Sequence, residues 1–421
     1  MITVSLIEPF RRAIVCVFES IFRKCRKPAQ RVLAFLSIIF NAPLVLLVVL
    51  IRPLVWIRFG VMRSDRIGHF IGDVEAYLCT RDLEVRGRRV IDIIGCPQPV
   101  CNRQVLSMWS RVFLIVPGGK LWGYVDAACM FWTRGEDHHV KLYGRVNDYW
   151  AIKDARCHLA FTEEEKMRGR ELIRRLTIPP DAQWVCIHNR DSIYLDKMDD
   201  RRYAYHDYRN FSVQSLKAAS DELVQRGYHV LRVGSVVSER FLSNNEKVLD
   251  YASSSMQSDF ADIYLLANCV AYIGSDSGIA CVPFVFHKPI SFINFSSTLI
   301  GLLLDQDIRY PFIIKRIWHK ERRRFLSLRE IFECGLAGAT ETDRFEEVGV
   351  EPVCNTSEDI RDLAIEVGQR LKGRWQSQLA DEEQQRRFWE IFRLYSPRIH
   401  EGEIRARIGS AFLRNHEDLL H

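Results

Sequence analysis

Four short stretches of this chain place basic, acidic, hydroxyl and small residues directly after runs of apolar residues. Each has chemistry suited to holding a phosphate ester or moving a proton. The run VAYIG leads into Ser275, Asp276, Ser277 and Gly278. Small residues where a strand turns into a helix let backbone N–H groups face a phosphate, and the positive end of the helix favours an anion there. The run WVCI leads into His188, Asn189, Arg190 and Asp191. Arg190 carries a fixed fork of donors that matches phosphate oxygens, and His188 offers a further donor. The run HVLRV leads into Gly234 and Ser235, and between these two stretches lies HDYRNFS, with His206, Asp207, Arg209 and Asn210 ahead of a helix capped by Ser212.

Taken singly these residues have plainer readings. Ser275 and Ser277 serve equally well as helix caps. Arg190 and Asp191, if exposed, form a surface pair worth about 0–1 kcal/mol. Convergence is the stronger argument. In a doubly wound sheet the carboxyl ends of successive strands share one edge, so His188, Arg190, Gly234, Ser275 and Ser277 are expected at one crevice, with Asp191, Ser235, Asp276 and Gly278 beside them.

The fourth stretch, MRSDRIGHFIGD, has the same strand, glycine loop and helix, with His69 directly after Gly68. A histidine titrates near neutrality and is suited to take a proton from an acceptor hydroxyl. Asp65 and Asp73 compete for that role, and the plainer reading has His69 and Arg66 shaping a surface turn.

The elements that must position these residues alternate. A β run from Ile57 ends at Arg63 and leads through a loop into a helix containing Val74, Tyr77 and Leu78. RRVIDIIG precedes a proline-rich turn and a helix around Val105 to Trp109; Val112 to Val116 follows, closed by Pro117, Gly118 and Gly119. From Tyr124 to Phe161 the pattern gives no clean assignment. Thr162 and Glu165 form a capping-box pattern ahead of a helix to Leu176, stopped by Pro179 and Pro180, which reads as a linker. The strand–helix alternation then resumes through PISFIN, and from Glu358 the chain reads as helical. Such alternation implies parallel sheets with crossover helices.

The chain has 421 residues, enough for two α/β domains with appendages. Its 48% hydrophobic and 27% charged composition is ordinary for a globular protein and disfavours bulk disorder or a polytopic membrane protein. The net charge of +6 comes without a nucleic-acid-binding signature, and its excess lies around the apolar N-terminal stretch, which suits an anionic membrane surface. Val32 to Ile57 is about 26 residues with one charge, long enough for a bilayer core of roughly 30 Å. Asn41, Pro43, Arg52 and Pro53 interrupt it, so a kinked membrane-associated helix is expected, with a hairpin buried on the globular body as the alternative. Most of the twelve cysteines stand singly in apolar runs and read as buried thiols. Cys96 and Cys101 lack a second pair at ligand spacing, and Asp199 and Asp200 lack a D-x-D form, so neither a structural metal nor a catalytic one is expected and no cofactor is assigned. Adjacent His138 and His139 aim apart and read as ordinary polar residues.

The stretch DIYLLANCVAYIGSDSGIACVPFVFHKPISFIN resembles the C-terminal domain of GT-B glycosyltransferases, particularly heptosyltransferases and the bacterial family of glycosyltransferases like them. In those, a helix, a hydrophobic strand, a [DS]SG turn and a later K-P bind the donor's phosphates. The matching residues are Ser275 to Gly278 and Lys288–Pro289, while Ile279 and Ala280 stand where the heptosyltransferase pattern has a histidine. The His188-x-Arg190 loop is similar to the donor-phosphate loop of the fucosyltransferase superfamily, and MRSDRIGHFIGD resembles the first strand and loop of heptosyltransferases, which carry an aspartate after the glycine. The resemblance implies two Rossmann-like α/β domains, GT-B-like, with a membrane-associated apolar segment before them: 1–57 leader and membrane segment, 58–178 acceptor domain, 179–345 donor nucleotide-sugar domain, 346–421 helical region. It implies a metal-independent glycosyltransferase using a nucleotide-sugar donor and a lipid-linked or surface-glycan acceptor at the cytoplasmic face of a bacterial inner membrane. A nucleotide-sugar 2-epimerase and a noncatalytic membrane-tethered scaffold of the same fold are the alternatives.

Overall fold

Apolar runs bounded by polar turns become strands here because a parallel sheet covered on both faces has no polar side. In a computed structural model the chain is described at residues 32, 36–85, 87–117, 119–133, 138–191, 204–296, 298, 310–395 and 406–421. The basic leader up to Arg31, together with Asp199 and Asp200, lies outside the described residues. The chain divides into two units, one of residues 1–151 and 158–160 and one of 152–157 and 161–421. The helix expected as a linker therefore belongs to the second unit, as does the C-terminal helical region.

In the first unit β1 (Trp56–Met62), β2 (Val90–Cys96), β3 (Leu114–Pro117) and β4 (His139–Leu142) form a sheet of order β3-β2-β1-β4. Every pairing in it is parallel. Gly60 permits the close approach of β1 to β4, since a Cβ there would stand 2.6 Å from the Val140 carbonyl oxygen. The connecting helices are α2 (Val74–Glu84), α3 (Arg103–Trp109) and α4 (Gly119–Trp132), preceded by α1 (Ala42–Ile51). A π-helical turn, His69–Asp73, runs directly into α2.

The N-terminal apolar stretch is broken where its sequence indicates. Residues 36–40 are helical, Asn41 turns, and α1 follows with Pro43 in its first turn, where a missing N–H costs nothing. Val45 and Val48 of α1 pack with Phe59 and Cys129 in the core, against Trp122 of α4. The opposite face of α1 exposes Leu46, Leu47 and Leu50, and Phe40 ahead of the Asn41 turn is exposed as well. Among the described residues no helix is long and apolar enough to cross a membrane. Arg58, at the end of the stretch, turns inward: it meets Asp92 at 2.8 and 3.2 Å, and Tyr77 and Arg81 complete the satisfaction of that carboxylate.

In the second unit β5 (Trp184–His188), β6 (His229–Arg232), β7 (Val248–Leu249), β8 (Ala271–Gly274) and β9 (Ile290–Phe292) form a parallel sheet of order β7-β6-β5-β8-β9. By position in the chain this is 3-2-1-4-5, the doubly wound order, with its reversal between β5 and β8. Helix α5 (Glu163–Arg175) starts on the Thr162–Glu165 capping box that its sequence announces. It lies so close to α7 (Asp259–Asn268) that a Cβ on Gly169 would fall 2.0 Å from the Tyr264 ring. Helix α6 (Lys217–Gln225) packs against α8 (Ser357–Leu371), which brings the C-terminal region onto this sheet.

Asp262 on α7 is buried and accepts a 2.9 Å hydrogen bond from Tyr251 Oη. Burial pushes its carboxyl up to about 7. Between about pH 4 and pH 7 the folded chain holds a proton that the unfolded chain has released, so this group makes stability fall as pH rises through that window. Asp262→Asn should flatten that slope in urea denaturation compared at about pH 4.5 and 7.5. An unchanged slope would assign the pH dependence elsewhere.

Candidate functional site

The reversal of strand order in the second unit brings the loops after β5 and β8 side by side, because nothing crosses between them. The approach is close: a Cβ on Gly274 would stand 2.6 Å from the His188 carbonyl oxygen, and Ser275 N donates to that same oxygen at 3.3 Å. Into this junction the β5 loop sends Arg190, which is buried and donates to Asn210 Oδ1 at 2.7 Å. Burial, and next the nearby Arg209 cation, lower its pKa to about 10.

Arg209 is held by Asp276, whose carboxylate it meets at 3.1 and 3.2 Å. Asp276 thus neutralises an arginine rather than facing a phosphate itself. Lys315 completes a group of cations: its ammonium donates to the carbonyls of Tyr208 at 2.7 Å and Asn210 at 3.2 Å. Burial lowers the Lys315 pKa, and Arg190 pushes in the same direction. Desolvated cations that depress one another are stabilised by an arriving anion. Ser275 adds a fully buried hydroxyl with no hydrogen-bond partner among the described residues. Ser277 precedes the short turn Gly278–Ala280, yet its side chain makes no cap bond to it.

His188 closes β5 with its Nδ1 at 2.9 Å from the Val233 carbonyl oxygen. Burial pulls its pKa down to about 4, so the ring is neutral at physiological pH. Its Nδ1–H donates to Val233, and Nε2 retains a lone pair; the ring offers an acceptor where the sequence led us to expect a donor. Asp191 accepts from the backbone N and the Oγ of Ser238, both at 3.0 Å, and so pins the β6 loop. That loop, from Ser235 to Arg240, and residues Ala252 to Ser254 with Gln257 line an open polar cleft of about 390 Å³. Gly234 stands at its rim, beside His188.

Lys288 is not brought to this crevice. Register pairs Tyr272 with Ile290 and Gly274 with Phe292, so Lys288 precedes β9 at the amino end of the sheet, opposite the edge that carries Arg190 and Ser275.

In the first unit the order β3-β2-β1-β4 reverses between β1 and β4. The loops after those two strands share a single carboxylate. Asp73, buried, receives His69 Nδ1 at 2.9 Å and Gly144 N at 2.7 Å on Oδ2, and Tyr149 Oη at 3.1 Å on Oδ1. Because a carboxylate only accepts, His69 donates from Nδ1, which makes Nε2 the acceptor of the neutral ring. The His69 side chain is 34% exposed. The π-turn supplies the four-residue spacing that stacks the two side chains, and such turns recur at functional sites. Trp109 Nε1 holds the turn by donating to the Phe70 carbonyl at 2.8 Å. Asp65 is elsewhere occupied, 3.3 Å from Arg63 in a half-exposed pair.

Two side chains of these sites escaped the sequence reading. Tyr149 lies in the stretch that gave no clean assignment. Lys315 follows the apolar run PFII, the same polar-after-apolar signature that singled out the other loops.

No protein-family model matches the chain, and no curated protein matches its sequence. Solved structures to which it is similar include a glycosyl transferase family 9 protein from Veillonella parvula, with 9% identity, coverage of 57% of this chain and 80% of that one, and a TM-score of 0.35. Another is the E. coli ADP-heptose LPS heptosyltransferase II, with 14% identity, coverage of 56% and 84%, and a TM-score of 0.37.

Proposed function

We propose that this protein is a glycosyltransferase that moves a sugar from a nucleoside-diphosphate donor to a hydroxyl acceptor. The observation that carries the reading is the pairing of two unlike sites, each at the strand-order reversal of its own parallel sheet. One gathers buried cations and hydroxyls suited to a diphosphate. The other holds a carboxylate-oriented imidazole that is 34% exposed.

In the donor unit the diphosphate lies against Arg190, Lys315 and the Ser275–Gly278 turn, and the nucleoside fills the cleft bounded by Ser235 and Gln257. As the sugar's anomeric carbon–oxygen bond breaks, the electron pair leaves with the diphosphate, whose developing charge meets preorganised cations. Those cations supply the charge stabilisation, so we assign no metal to this step. In the acceptor unit His69 Nε2 takes the proton of the attacking hydroxyl as the new bond forms, and Asp73 stabilises the imidazolium that results. A screen of common nucleotide sugars, followed by release of the nucleoside diphosphate, tests the reading. One donor should be turned over; failure of every nucleoside diphosphate to bind in calorimetry would overturn it.

We further propose a lipid-linked or surface-glycan acceptor, met at the cytoplasmic face of a bacterial membrane. Support comes from α1, which keeps Leu46, Leu47 and Leu50 in water although Val45 and Val48 anchor it to the core, and from Phe40, exposed just ahead of it. The basic leader ahead of it suits anionic headgroups. Replacing Leu46, Leu47 and Leu50 by serine should reduce sedimentation with anionic vesicles on the order of tenfold or more while leaving the core residues intact. Full-length protein that ignores such vesicles at low salt would remove the membrane from the proposal.

A further inference from the structure

We propose that Glu75, Cys79 and His158 form a binding site for one borderline-soft divalent cation, zinc by preference, in the first unit. Cysteine spacing gives no hint of it, because the ligands come from two places far apart in the chain. Glu75 and Cys79 are four residues apart on α2 and therefore share a helical face. Asp73, two residues before Glu75, points about 200° around the helix and serves His69 instead.

His158 meets the helix from the segment that returns to this unit. Its Nδ1 stands 2.9 Å from Glu75 Oε1, and the Cys79 thiol stands 3.8 Å from the same oxygen. One ligand atom from each of the three side chains lies within 4.8 Å of the others, a spread that a tetrahedral cation with bonds of about 2.0–2.3 Å can draw together.

Two further observations point to a cation rather than to a closed polar cluster. Glu75 Oε2 is buried and has no hydrogen-bond partner among the described residues, although Oε1 accepts from both the backbone N and the ring of His158. A buried carboxylate oxygen without a donor is costly, and a coordinated cation would satisfy it. The other ring nitrogen of His158, Nε2, lies 3.0 Å from Asp82 Oδ2, and Asp82 is in turn held by Arg81 at 2.9 Å. A metal-ligating histidine characteristically donates its second N–H to a carboxylate, and that outer partner fixes the ring for coordination through the first nitrogen.

The charges balance. Glu75, a Cys79 thiolate and Asp82 are met by the divalent cation and Arg81, and binding releases the thiol proton along with any second proton on the imidazole. Asp82 and His158 are partly exposed and mark the side of entry, while Glu75 and Cys79 form the floor. Three protein ligands leave a fourth position for water. The rival arrangement is an imidazolium bridging the two carboxylates with no cation at all.

Cobalt(II) added to the chelator-treated full chain distinguishes the two without reference to any activity, so the outcome is independent of the glycosyltransferase reading. One equivalent should bind and give a thiolate-to-cobalt charge-transfer band, displaced by zinc. The band should vanish in Cys79→Ser and persist in Cys334→Ser. Asp82→Asn should weaken cobalt binding on the order of 10- to 100-fold while the band remains. Should Cys79→Ser fail to fold, His158→Gln at the more exposed ligand tests the same point by loss of stoichiometric binding. Absence of stoichiometric binding in the native chain, or a band that survives Cys79→Ser or binding that survives His158→Gln, overturns the site.

Discussion

His69→Ala should reduce the rate of sugar transfer on the order of 10²–10⁴-fold and leave the donor dissociation constant nearly unchanged. The two quantities separate because the proposed donor contacts, Arg190, Lys315 and the Ser275–Gly278 turn, belong to the other unit. Asp73 belongs to the same device, through the tautomer it imposes. With Asp73 replaced by asparagine, the amide oxygen takes the Oδ2 position, where Gly144 N and His69 Nδ1 both donate, and the amide nitrogen faces Tyr149 Oη, which can accept, so the tautomer survives while the carboxylate charge is lost. The imidazolium that forms as His69 takes the proton then lacks its neighbouring carboxylate charge. We therefore expect Asp73→Asn to lower kcat, though by less than His69→Ala does, with unchanged donor affinity. Asp65→Ala, which removes only a half-exposed pairing with Arg63, should have little effect. Native turnover in His69→Ala would withdraw the assignment, and a larger loss at Asp65 would move the role there.

The same residues show where sequence legibility ends. The four-residue spacing of His69 and Asp73 was visible, but the two read as competitors, because only the π-turn and the donors from Gly144 and Tyr149 make them one unit. The strand-end loops were legible as a set, since a parallel strand buried on both faces must end abruptly in polar residues. Their membership was less so. Lys288 precedes a strand and Arg190 follows one, and which sheet edge each occupies depends on strand direction, which the K-P pattern does not carry. Helix α1 gave no sign of which face would be buried: it is apolar all round, so no moment distinguishes Val45 from Leu46. The Thr162 cap was legible to the residue because a capping box is local. Glu75, Cys79 and His158 meet only through the tertiary path of the chain, and no local pattern announces them.

Arg190→Ala should weaken nucleoside-diphosphate binding by about 1.5–3 kcal/mol, roughly 10- to 150-fold, as expected for loss of charge-assisted hydrogen bonds in a desolvated site. Its neighbours argue for an effect in the upper part of that range. Arg190 is buried beside Arg209 and Lys315; burial and then Arg209 lower its pKa, and Arg190 in turn pushes that of Lys315 down. A bound diphosphate relieves that repulsion in addition to accepting hydrogen bonds. Removing Arg190 also eases the crowding in the empty site, which offsets part of the loss. Arg190→Lys therefore discriminates between charge and shape: a point charge on a flexible stem keeps the first contribution and loses the planar fork, so its affinity should fall between those of the native chain and the alanine variant. Affinity for the uncharged nucleoside should not change in either variant, because the cleft from Ser235 to Gln257 is framed by the Asp191–Ser238 contacts and not by Arg190. Lys288→Ala, at the far edge of the sheet, should bind the diphosphate as the native chain does. Equal diphosphate affinity in Arg190→Ala and the native chain would take Arg190 out of the site, and a loss at Lys288 equal to that at Arg190 would overturn the placement of the diphosphate at the β5–β8 reversal.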